Sequence, residues 1–584
     1  MRYLATWLVL LPLSLVGAVR TPRNHDTHDY FNVEVDPTTS PEELAAVLGA
    51  HCEGPLGQLP NHFTFSTPKA QSSLTEQRLD EARRRRRRRR SLGETGTFDA
   101  TDGVLWAKKQ TLRPRLHKRM PPPPPLDLRE DQGSESELTA EQKAAVEQFN
   151  NIVSTLGIGD PIFNEQWHIF NSKQIGHDMN VTGLWLEGIT GNGSISAIVD
   201  DGLDMYSDDL KGNYYAEGSY DFNDQTDEPK PRLFDDKHGT RCAGEVAAVK
   251  NNVCGVGMAY DSKIAGIRIL SKIISDEDEA IAMNYGYDKT DIYSCSWGPA
   301  DDGKSMEVPP MVVQRAMVNA VQKGRDGRGS IYVFAAGNGA ASGDNCNFDG
   351  YTNSIYSITV GAIDRAGNHP YYSEACSAQL VVTYSSGEGD SIHTTDVGTN
   401  ECSAAHGGTS AAGPLMVGVA ALALSVRPDL TWRDLQYLCV NTAVPVHEDD
   451  SEWQTTTIGK KFSHQFGYGK VDSYAYVQAA KDFVSVKPQA WYHSPWLSVL
   501  HSIPQGDKGL ASTFEVTKDM MKKANLERLE HVTVTMNVNH TRRGDLSVEL
   551  RSPSGIVSHL SVARRFDEHK NGYQDWNFMS VAHW

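Results

Sequence analysis

An aspartate, a histidine and a serine occur in three short segments whose composition suits catalysis. Asp200 lies in AIVDDG, His238 in DKHGTRCAG and Ser410 in HGGTSAAGP. A serine hydroxyl is a weak nucleophile at neutral pH, so it needs an imidazole to accept its proton and a carboxylate to orient that imidazole. Flanking glycines would let a peptide backbone approach closely. The segments therefore predict Ser410 as a nucleophile, His238 as its base and Asp200 as the orienting acid.

A fourth segment, AAGNG, places Asn338 directly after an apolar run. Its amide can donate to the oxyanion that forms when a serine attacks a carbonyl, and losing such a donor typically costs about 2.7 to 4 kcal/mol. Each segment alone has a structural alternative, because an aspartate after a strand is often a turn residue and Gly-Thr-Ser is often a helix cap. The presence of all four segments favours catalysis.

The elements that would position these residues appear as short apolar runs separated by helical stretches. The runs span residues 194–199, 263–270, 330–334 and 357–360. Such runs are typical of strands buried on both faces of a parallel sheet, where functional residues gather at the carboxyl ends. The sequence predicts a doubly wound α/β domain. After about residue 486, alternating segments at 531–537 and 546–550 predict a separate antiparallel β domain.

The N-terminus has the order of a secretory signal peptide, with Arg2, an apolar run from Leu4 to Val16, and small residues up to Ala18. No other apolar stretch reaches the roughly 18 to 20 residues that cross a bilayer. The closest, 411–426, contains two glycines and a proline. We expect entry into the secretory route and a chain that is soluble after processing, with some of the eight cysteines paired.

Charge is distributed unevenly along the chain. Residues 1–119 hold 19 Lys and Arg against 13 Asp and Glu, a net charge of +6, whereas the remainder holds 37 against 61, a net charge of −24. An acidic body disfavours binding to nucleic acid and suits a basic ligand. We therefore expect the basic leader to occupy an acidic cleft of the body.

Two leader segments look exposed and cleavable. Arg83–Arg90 is an unbroken run of eight arginines that like-charge repulsion should keep extended. The sequence LHKR, which ends at Arg119, precedes five prolines that favour polyproline II. Behind a signal peptide, a role for the arginine run in nuclear import or nucleic-acid binding is disfavoured. Arg119 is the predicted processing site.

Longer motifs resemble the kexin and furin group of proprotein convertases, and the fungal kexins most closely. They are DDGL at 200–203, HGTRCAGEV at 238–246, YSCSWGP at 293–299, DNCNFDGYTNS at 344–354 and LTWRD at 430–434. The resemblance implies a signal peptide at 1–18, an inhibitory α+β prodomain at 19–119, a subtilisin-like catalytic domain at 120–485 and a β-sandwich P domain at 486–584. That P domain is expected to be incomplete at Trp584, with a membrane anchor downstream.

Cleavage after Lys-Arg requires carboxylates that pair with the buried cationic side chains. The resemblance assigns six such acids: Asp301 and Asp349 to the S1 pocket, Asp201 and Asp235 to the S2 pocket, and Glu279 and Glu307 to the S4 region. For any single one of them the alternative is a solvated surface acid.

The resemblance also implies three calcium sites, since clustered oxygen ligands suit a hard cation. The first comprises Asp160, Asp209 and Asn252 with backbone oxygens of Val249, Val253 and Gly255; the second Asp301, Asp344 and Glu374; the third Asp221, Asp227 and Glu228, where Thr226 replaces an expected acid.

The resemblance further implies disulfides Cys254–Cys402 and Cys346–Cys376, and leaves Cys242 and Cys295 as unpaired thiols near the active centre. Asn180, Asn192 and Asn539 lie in glycosylation sequons.

The resulting hypothesis is a calcium-dependent serine endoprotease of the late Golgi that cuts precursor proteins after Lys-Arg or Arg-Arg through an acyl-enzyme. Its prodomain would be its first substrate, cut at Arg119, and then its inhibitor. Two alternatives stay open. An inactive secreted decoy or scaffold is disfavoured by the intact set of catalytic residues, and a broad degradative subtilisin is disfavoured by the pocket acids.

Overall fold

The computed structural model describes residues 23–91, 99–113, 116–122, 138–506 and 508–584. The predicted signal peptide and the last three of the five prolines lie outside these ranges. The chain divides into two units, Met1–Pro55 with Asn61–Gln110, and Leu56–Pro60 with Thr111–Trp584. The last residues of the predicted prodomain therefore belong to the second unit.

The first unit has the α+β architecture expected of the leader. Its antiparallel sheet has the strand order β2-β3-β1-β4. The elements are β1 (His28–Val35), α1 (Pro41–Leu48), β2 (His51–Pro55), β3 (His62–Pro68), α2 (Ser72–Ser91) and β4 (Val104–Lys109). Phe31, Val33 and Val35 of β1 pack against Leu44 of α1 and Leu79 of α2 to form the core.

The expectation of an extended arginine run is wrong, because residues 83–90 lie within α2. Arg83, Arg86 and Arg89 are half-buried, whereas the arginines between them are exposed. Carboxylates from α2 itself and from other parts of the unit pair with four of the arginines and offset the like-charge repulsion. The pairs are Arg83–Asp80 at 3.2 Å, Arg85–Asp99 at 2.9 Å, Arg86–Asp36 at 3.1 Å and Arg89–Asp102 at 2.5 Å.

The second unit contains a seven-stranded parallel sheet of order β13-β12-β11-β9-β6-β8-β7. Its strands are β6 (Ile195–Asp200), β7 (Tyr220–Asp221), β8 (Lys263–Arg268), β9 (Ile292–Cys295), β11 (Ile331–Ala335), β12 (Ser357–Ile363) and β13 (Val381–Tyr384). The four apolar runs correspond to β6, β8, β11 and β12, so the predicted α/β fold is confirmed.

Helices pack around this sheet. They are α3 (Ala140–Leu156), α4 (Thr182–Leu186), α5 (His238–Ala247), α6 (Asp276–Ala282), α7 (Met311–Gly327), α8 (Thr409–Val426), α9 (Trp432–Thr442) and α10 (Ser473–Lys481). Among the described residues, α8 alone has the length and apolarity of a membrane-crossing helix, and it is largely buried inside the protein.

Pro414 lies inside α8 and helps to position its first turn. Proline has no N–H, so the carbonyl of Ser410 lacks its usual partner four residues later. That carbonyl accepts a hydrogen bond from Ser296 Oγ instead, at 3.1 Å. The second residue of α8 is thereby tied to the loop that follows β9.

Short strands complete the middle of the chain. They are β5 (His117–Lys118), β10 (Trp297–Gly298), β14 (Ile392–Thr395), β15 (Cys402–His406), β16 (Gln454–Thr455) and β17 (Lys461–Phe462). Both expected disulfides, Cys254–Cys402 and Cys346–Cys376, are formed. Cys242 and Cys295 are free and buried, as expected of small apolar side chains.

The C-terminal part forms two antiparallel strand pairs, which the alternating segments predicted. The elements are α11 (Lys518–Lys523), β18 (Val532–Val538), β19 (Val548–Arg551), β20 (Val557–Ser561) and β21 (Tyr573–Ser580), with β18 paired to β21 and β19 to β20. Their core includes Trp576, Phe578 and Phe348, the last from the loop after Cys346.

Candidate active site

Strand and helix ends bring the three predicted catalytic residues together. Asp200 ends β6, His238 begins α5, and Ser410 is the second residue of α8. Both carboxylate oxygens of Asp200 lie 2.9 Å from His238 Nδ1. All three side chains are buried, so the imidazole is oriented by one carboxylate in a site of low dielectric.

Ser410 Oγ is directed at a carbonyl group. It donates to the carbonyl oxygen of Arg119 at 2.6 Å and lies 3.1 Å from the carbonyl oxygen of Ser296. His238 Nε2 has no hydrogen-bond partner within the described ranges. The serine must therefore turn about its Cα–Cβ bond to give its proton to Nε2.

The segment before Arg119 lies in the cleft as an added strand. In register, Lys118 pairs with Trp297 and His117 with Gly298, so β5 runs antiparallel to β10. The backbone N–H of Arg119 donates to Ser296 at 3.1 Å. Such pairing fixes an extended peptide by its main chain and leaves side-chain pockets to select its sequence.

Asn338 is held so that its amide nitrogen faces the same carbonyl. Its Oδ1 accepts from the N–H and the hydroxyl of Thr409 at 2.9 and 3.0 Å. Its buried Nδ2 has no partner in the part of the chain that the structure describes. A side chain at Gly408 would touch both this nitrogen and the oxygen of Arg119, so the two atoms border one small space suited to an oxyanion.

Arg119 fills a fully buried pocket. Its guanidinium donates to the carboxylate of Asp349 and to the carbonyl of Ala335, and Asp301 Oδ1 lies 3.8 Å from its Nε. Burial raises the pKa of Asp349, and Arg119 opposes that rise. A side chain at Gly298 would collide with the guanidinium. Asp349 and Asp301 thus both lie against the Arg119 side chain, and their assignment to an S1 pocket stays a prediction.

Lys118 occupies the neighbouring pocket. Its Nζ lies 2.6 Å from Asp201 Oδ2 and donates to the backbone oxygen of Asp235 at 2.7 Å, whereas the Asp235 carboxylate is 3.9 Å away and mostly exposed. Asp201 also accepts from the backbone N–H groups of His238 and Gly239. Burial and the nearby Asp200 raise the pKa of Asp201 to about 6. One carboxylate therefore contacts both the Lys118 ammonium group and the start of the helix that carries His238.

The two acids assigned to S4 face a residue further upstream. The buried Glu279 pairs with Arg113 Nε at 3.1 Å and accepts from the Tyr351 hydroxyl. Glu307 adds to the negative field that, against burial, raises the pKa of Arg113. Residues 111–113 run beside 274–276, with Arg113 N–H donating to Ile274 at 2.8 Å. Glu279 therefore binds the side chain of Arg113, whereas Glu307 acts on it electrostatically.

The first predicted calcium cluster contains buried carboxylate oxygens that lack partners. Asp160 Oδ2 and Asp209 Oδ1 have no hydrogen bond to any described residue. Burial raises the pKa of Asp160 to about 6 and that of Asp209 to about 8, with Asp160 contributing to the latter. Asn252 Oδ1 lies close by, against Gly159. Orphaned hard oxygens of this kind fit a calcium ion.

The second predicted cluster adjoins the S1 pocket. Asp301, Asp344 and Glu374 line one small cavity together with Arg119 and Asp349. Burial raises the pKa of Asp344 to about 6, and burial with the two neighbouring aspartates raises the pKa of Glu374 well above its usual value. The guanidinium groups of Arg119 and Arg564 lie 3.8 Å from Asp301 and Asp344, yet the pKa values of Asp344 and Glu374 stay raised. Three acids thus crowd together, and this donor set also fits a divalent cation.

The third predicted cluster differs from these two. Asp221 pairs with Arg268 at 2.9 Å and with Arg232 at 3.1 Å. Glu228 accepts from the Tyr206 hydroxyl at 2.9 Å, and Asp227 is exposed. Two guanidinium groups already neutralise Asp221, so the third calcium site stays a prediction without a matching cluster of unpaired acids.

Sequence reasoning missed several residues that shape the site. Thr409 fixes the Asn338 amide, Ser296 supplies main-chain and side-chain contacts, and Tyr351 bonds to Glu279. Each lies inside a motif that the sequence analysis had singled out. Thr409 could have been predicted from its place next to Ser410. The contacts of Ser296 and Tyr351 could not, because they join chain segments that are far apart in sequence.

Comparisons with known proteins agree with this geometry. The family model described as Subtilase family matches residues 191–469, and the one described as Proprotein convertase P-domain matches residues 529–584. The chain is 47% identical to "Kexin" of Candida albicans (strain WO-1), over 96% of its own length and 62% of the relative. It is 46% identical to the "Dibasic-processing endoprotease" of Schizosaccharomyces pombe, over 96% and 74%.

Among solved structures, the serine protease of Aeromonas sobria matches with a TM-score of 0.63 at 23% identity, covering 73% of this chain and 86% of that one. That likeness concerns the fold alone. The chain spans less than two thirds of the length of the Candida relative. The matched models and the extent of identity to these fungal proteases show that the chain belongs to the subtilase family, in its kexin-type proprotein convertase group.

Proposed function

We propose that this chain is a serine endoprotease that cuts precursor proteins after Lys-Arg or Arg-Arg in the lumen of the late secretory pathway, with its own leader as the first substrate. One observation carries the proposal. The carbonyl of Arg119 meets Ser410 Oγ while the side chains of Lys118 and Arg119 fill two acidic pockets. A segment of the chain itself thus lies in the cleft as a substrate.

The contacts support the following sequence of steps. Ser410 turns, gives its proton to His238 Nε2 and attacks the Arg119 carbonyl carbon, while Asp200 stabilises the imidazolium. The oxyanion is bound by Asn338 Nδ2. His238 then protonates the nitrogen of Met120, which leaves, and an acyl-enzyme remains on Ser410. A water molecule, deprotonated by His238, releases the acid and restores the serine.

The first two acidic clusters would hold calcium. Asp160, Asp209 and Asn252, with backbone oxygens of Val249, Val253 and Gly255, would form one site, and Asp301, Asp344 and Glu374 the other. Bound calcium would supply the positive charge that keeps these buried carboxylates ionised. Since Asp301 also faces Arg119, the second site would couple the metal to the S1 pocket.

Chelation of calcium is expected to abolish peptide cleavage and to lower the melting temperature. Without the cation, three crowded acids must take up protons or repel one another, which distorts the wall of the S1 pocket. The measurement is initial rate on a Lys-Arg peptide with EGTA, then with excess Ca²⁺ and, as a control, excess Mg²⁺. An unchanged rate in strong chelator would contradict the assignment of the second cluster.

Arg113 should strengthen binding of the leader's last residues. Its partner Glu279 is fully buried, and removing one partner of a buried ion pair typically costs about 3 to 5 kcal/mol. A synthetic peptide of residues 111–119 with Arg113→Gln should therefore inhibit the processed enzyme at least about 100-fold more weakly than the native peptide. A peptide with Leu112→Gln, changed at an exposed side chain, is the control. Equal inhibition by all three would show that Glu279 plays no part.

Matched peptides test the proposed function directly. The value of kcat/KM should be highest for a peptide that ends in Leu-His-Lys-Arg before the cut and lower for one that ends in Leu-His-Ala-Arg. Both values should far exceed that of a peptide that ends in Leu-His-Ala-Leu. The order follows from the buried pair at Arg119 and the more accessible pair at Lys118. A decoy would cut none of them, and a degradative protease would favour the apolar peptide.

A further inference from the structure

A second buried carboxyl and imidazole pair lies behind the catalytic histidine. His238, Cys242 and Glu245 share one face of α5, because residues four and seven positions apart align on a helix. His406, at the end of β15, places its Nε2 3.0 Å from Glu245 Oε1, and both side chains are at most 3% exposed. The proposed mechanism uses neither of them.

This pair contacts the catalytic ring. The rings of His406 and His238 meet edge to face, with centroids 5.5 Å apart and planes inclined by 74°. Cys242 Sγ lies between them, 3.7 Å from His406 Nε2 and 4.0 Å from His238 Nδ1. His406 and Cys242 thus form a wall against which the His238 ring packs. If His406 moved, the His238 ring could turn away from Asp200.

Burial shifts the pKa of each member of the pair towards its uncharged form. Burial raises the pKa of Glu245 well above its usual value. Burial, with His238 and Arg241 nearby, lowers the pKa of His406 well below its usual value. In its protonated form the Glu245 carboxyl group can donate to His406 Nε2 across their 3.0 Å contact, and its Oε2 has no hydrogen-bond partner among the described residues. A neutral pair adds no repulsion when His238 becomes an imidazolium.

We propose that Glu245 and His406 are positioning residues that hold the His238 ring in the plane where it meets Asp200. The inference rests on the proposed function of His238 as the general base. The competing explanation is that the pair only fills the core. Apolar residues of similar volume usually stabilise a core at least as well as a buried polar pair. What this pair would add beyond stability is the orientation of the His238 ring.

Three variants of the full chain separate these explanations: Glu245→Gln, Glu245→Leu and the double variant Glu245→Leu/His406→Leu. Each is assayed on a Leu-His-Lys-Arg peptide after active-site titration. The glutamine amide can donate to Nε2, so kcat should stay within about 3-fold of wild type. Leucine cannot, so kcat should fall about 10- to 100-fold while KM changes by less than about 2-fold.

The double variant distinguishes a loss of positioning from a folding defect of Glu245→Leu. Two leucines remove the polar pair together, so the melting temperature should return to near the wild-type value while kcat stays low. Wild-type kcat in the double variant would show that the pair only fills space and would overturn the proposal. The proposal would also be overturned if kcat fell as far in Glu245→Gln as in Glu245→Leu, or if kcat and KM changed in parallel.

A spectroscopic signature tests positioning apart from turnover. The low-field proton resonance of His238 Nδ1 reports its bond to Asp200, and it should persist in Glu245→Gln and weaken in Glu245→Leu. An unchanged resonance in Glu245→Leu would contradict positioning. If the wild-type enzyme cut no dibasic peptide while the resonance responded as expected, the proposed function would fail and the positioning role would stand.

Discussion

Ser410→Ala is expected to accumulate as an uncut precursor when expressed in cells that lack other convertases. The variant removes the hydroxyl that lies 2.6 Å from the Arg119 carbonyl oxygen and leaves both acidic pockets in place. Loss of the nucleophile of such a triad typically lowers kcat by about 10⁶-fold. The leader should therefore remain covalently attached, and intact-mass measurement of the purified chain should show no cleavage after Arg119.

A matched control is Ser494→Ala, at an exposed serine in the segment that precedes α11. It should mature like the wild-type chain, which would show that expression and folding tolerate the change of residue type. Maturation of Ser410→Ala at Arg119 in the same cells would instead assign the cut to another protease, and would remove the evidence for self-processing.

Asp349→Asn should reduce kcat/KM on a Lys-Arg peptide by about 100-fold or more. The Arg119 guanidinium is fully buried and donates to Asp349, so the neutral amide leaves a buried charge poorly paired. Removing one partner of such a pair typically costs about 3 to 5 kcal/mol. Cleavage of a peptide with an uncharged residue before the cut should fall much less, so selectivity for arginine should decrease.

Asp326→Asn, at an almost fully exposed carboxylate, is the control for the Asp-to-Asn change and should behave as wild type. The rates are normalised to the titrated concentration of active serine, which removes any effect of slower maturation. Equal losses on the charged and uncharged peptides, together with a lower melting temperature, would indicate a folding defect and would contradict a specific role in S1.

Much of the parallel sheet could be predicted from the sequence, because buried parallel strands are continuous apolar runs and the site residues follow directly after them. Asp200 and Asn338 illustrate this rule, since each sits at or just after the end of a strand. Only local sequence and the general layout of α/β sheets were needed for these two positions.

Other features depend on contacts between distant segments. Local charge density suggested an extended arginine run, but Asp36 and Asp102, which are remote in sequence, pair with its inward face and allow a helix. Arg113 reaches Glu279 because residues 111–113 lie beside 274–276. No periodicity in the sequence encodes such a pairing.

The third calcium prediction shows the same limitation. The family resemblance assigned Asp221, Asp227 and Glu228 to one cation. Arg268, which ends β8, is the register partner of Asp221 on the neighbouring strand β7 and supplies positive charge beside it. The charges around Asp221 therefore depend on pairing between strands that lie far apart in the sequence, and the third site stays a prediction.

The most direct test of the central claim is an unbiased cleavage profile of the processed enzyme on a denatured protein mixture, with each new N-terminus identified by mass spectrometry. The structure predicts cuts concentrated after Lys-Arg and Arg-Arg, because a buried carboxylate pairs with each of the last two residues before the scissile bond. The same preparation of Ser410→Ala should yield none of these cuts. Cuts spread over apolar residues, or an identical profile from the Ser410→Ala preparation, would contradict a serine endoprotease that reads paired basic residues.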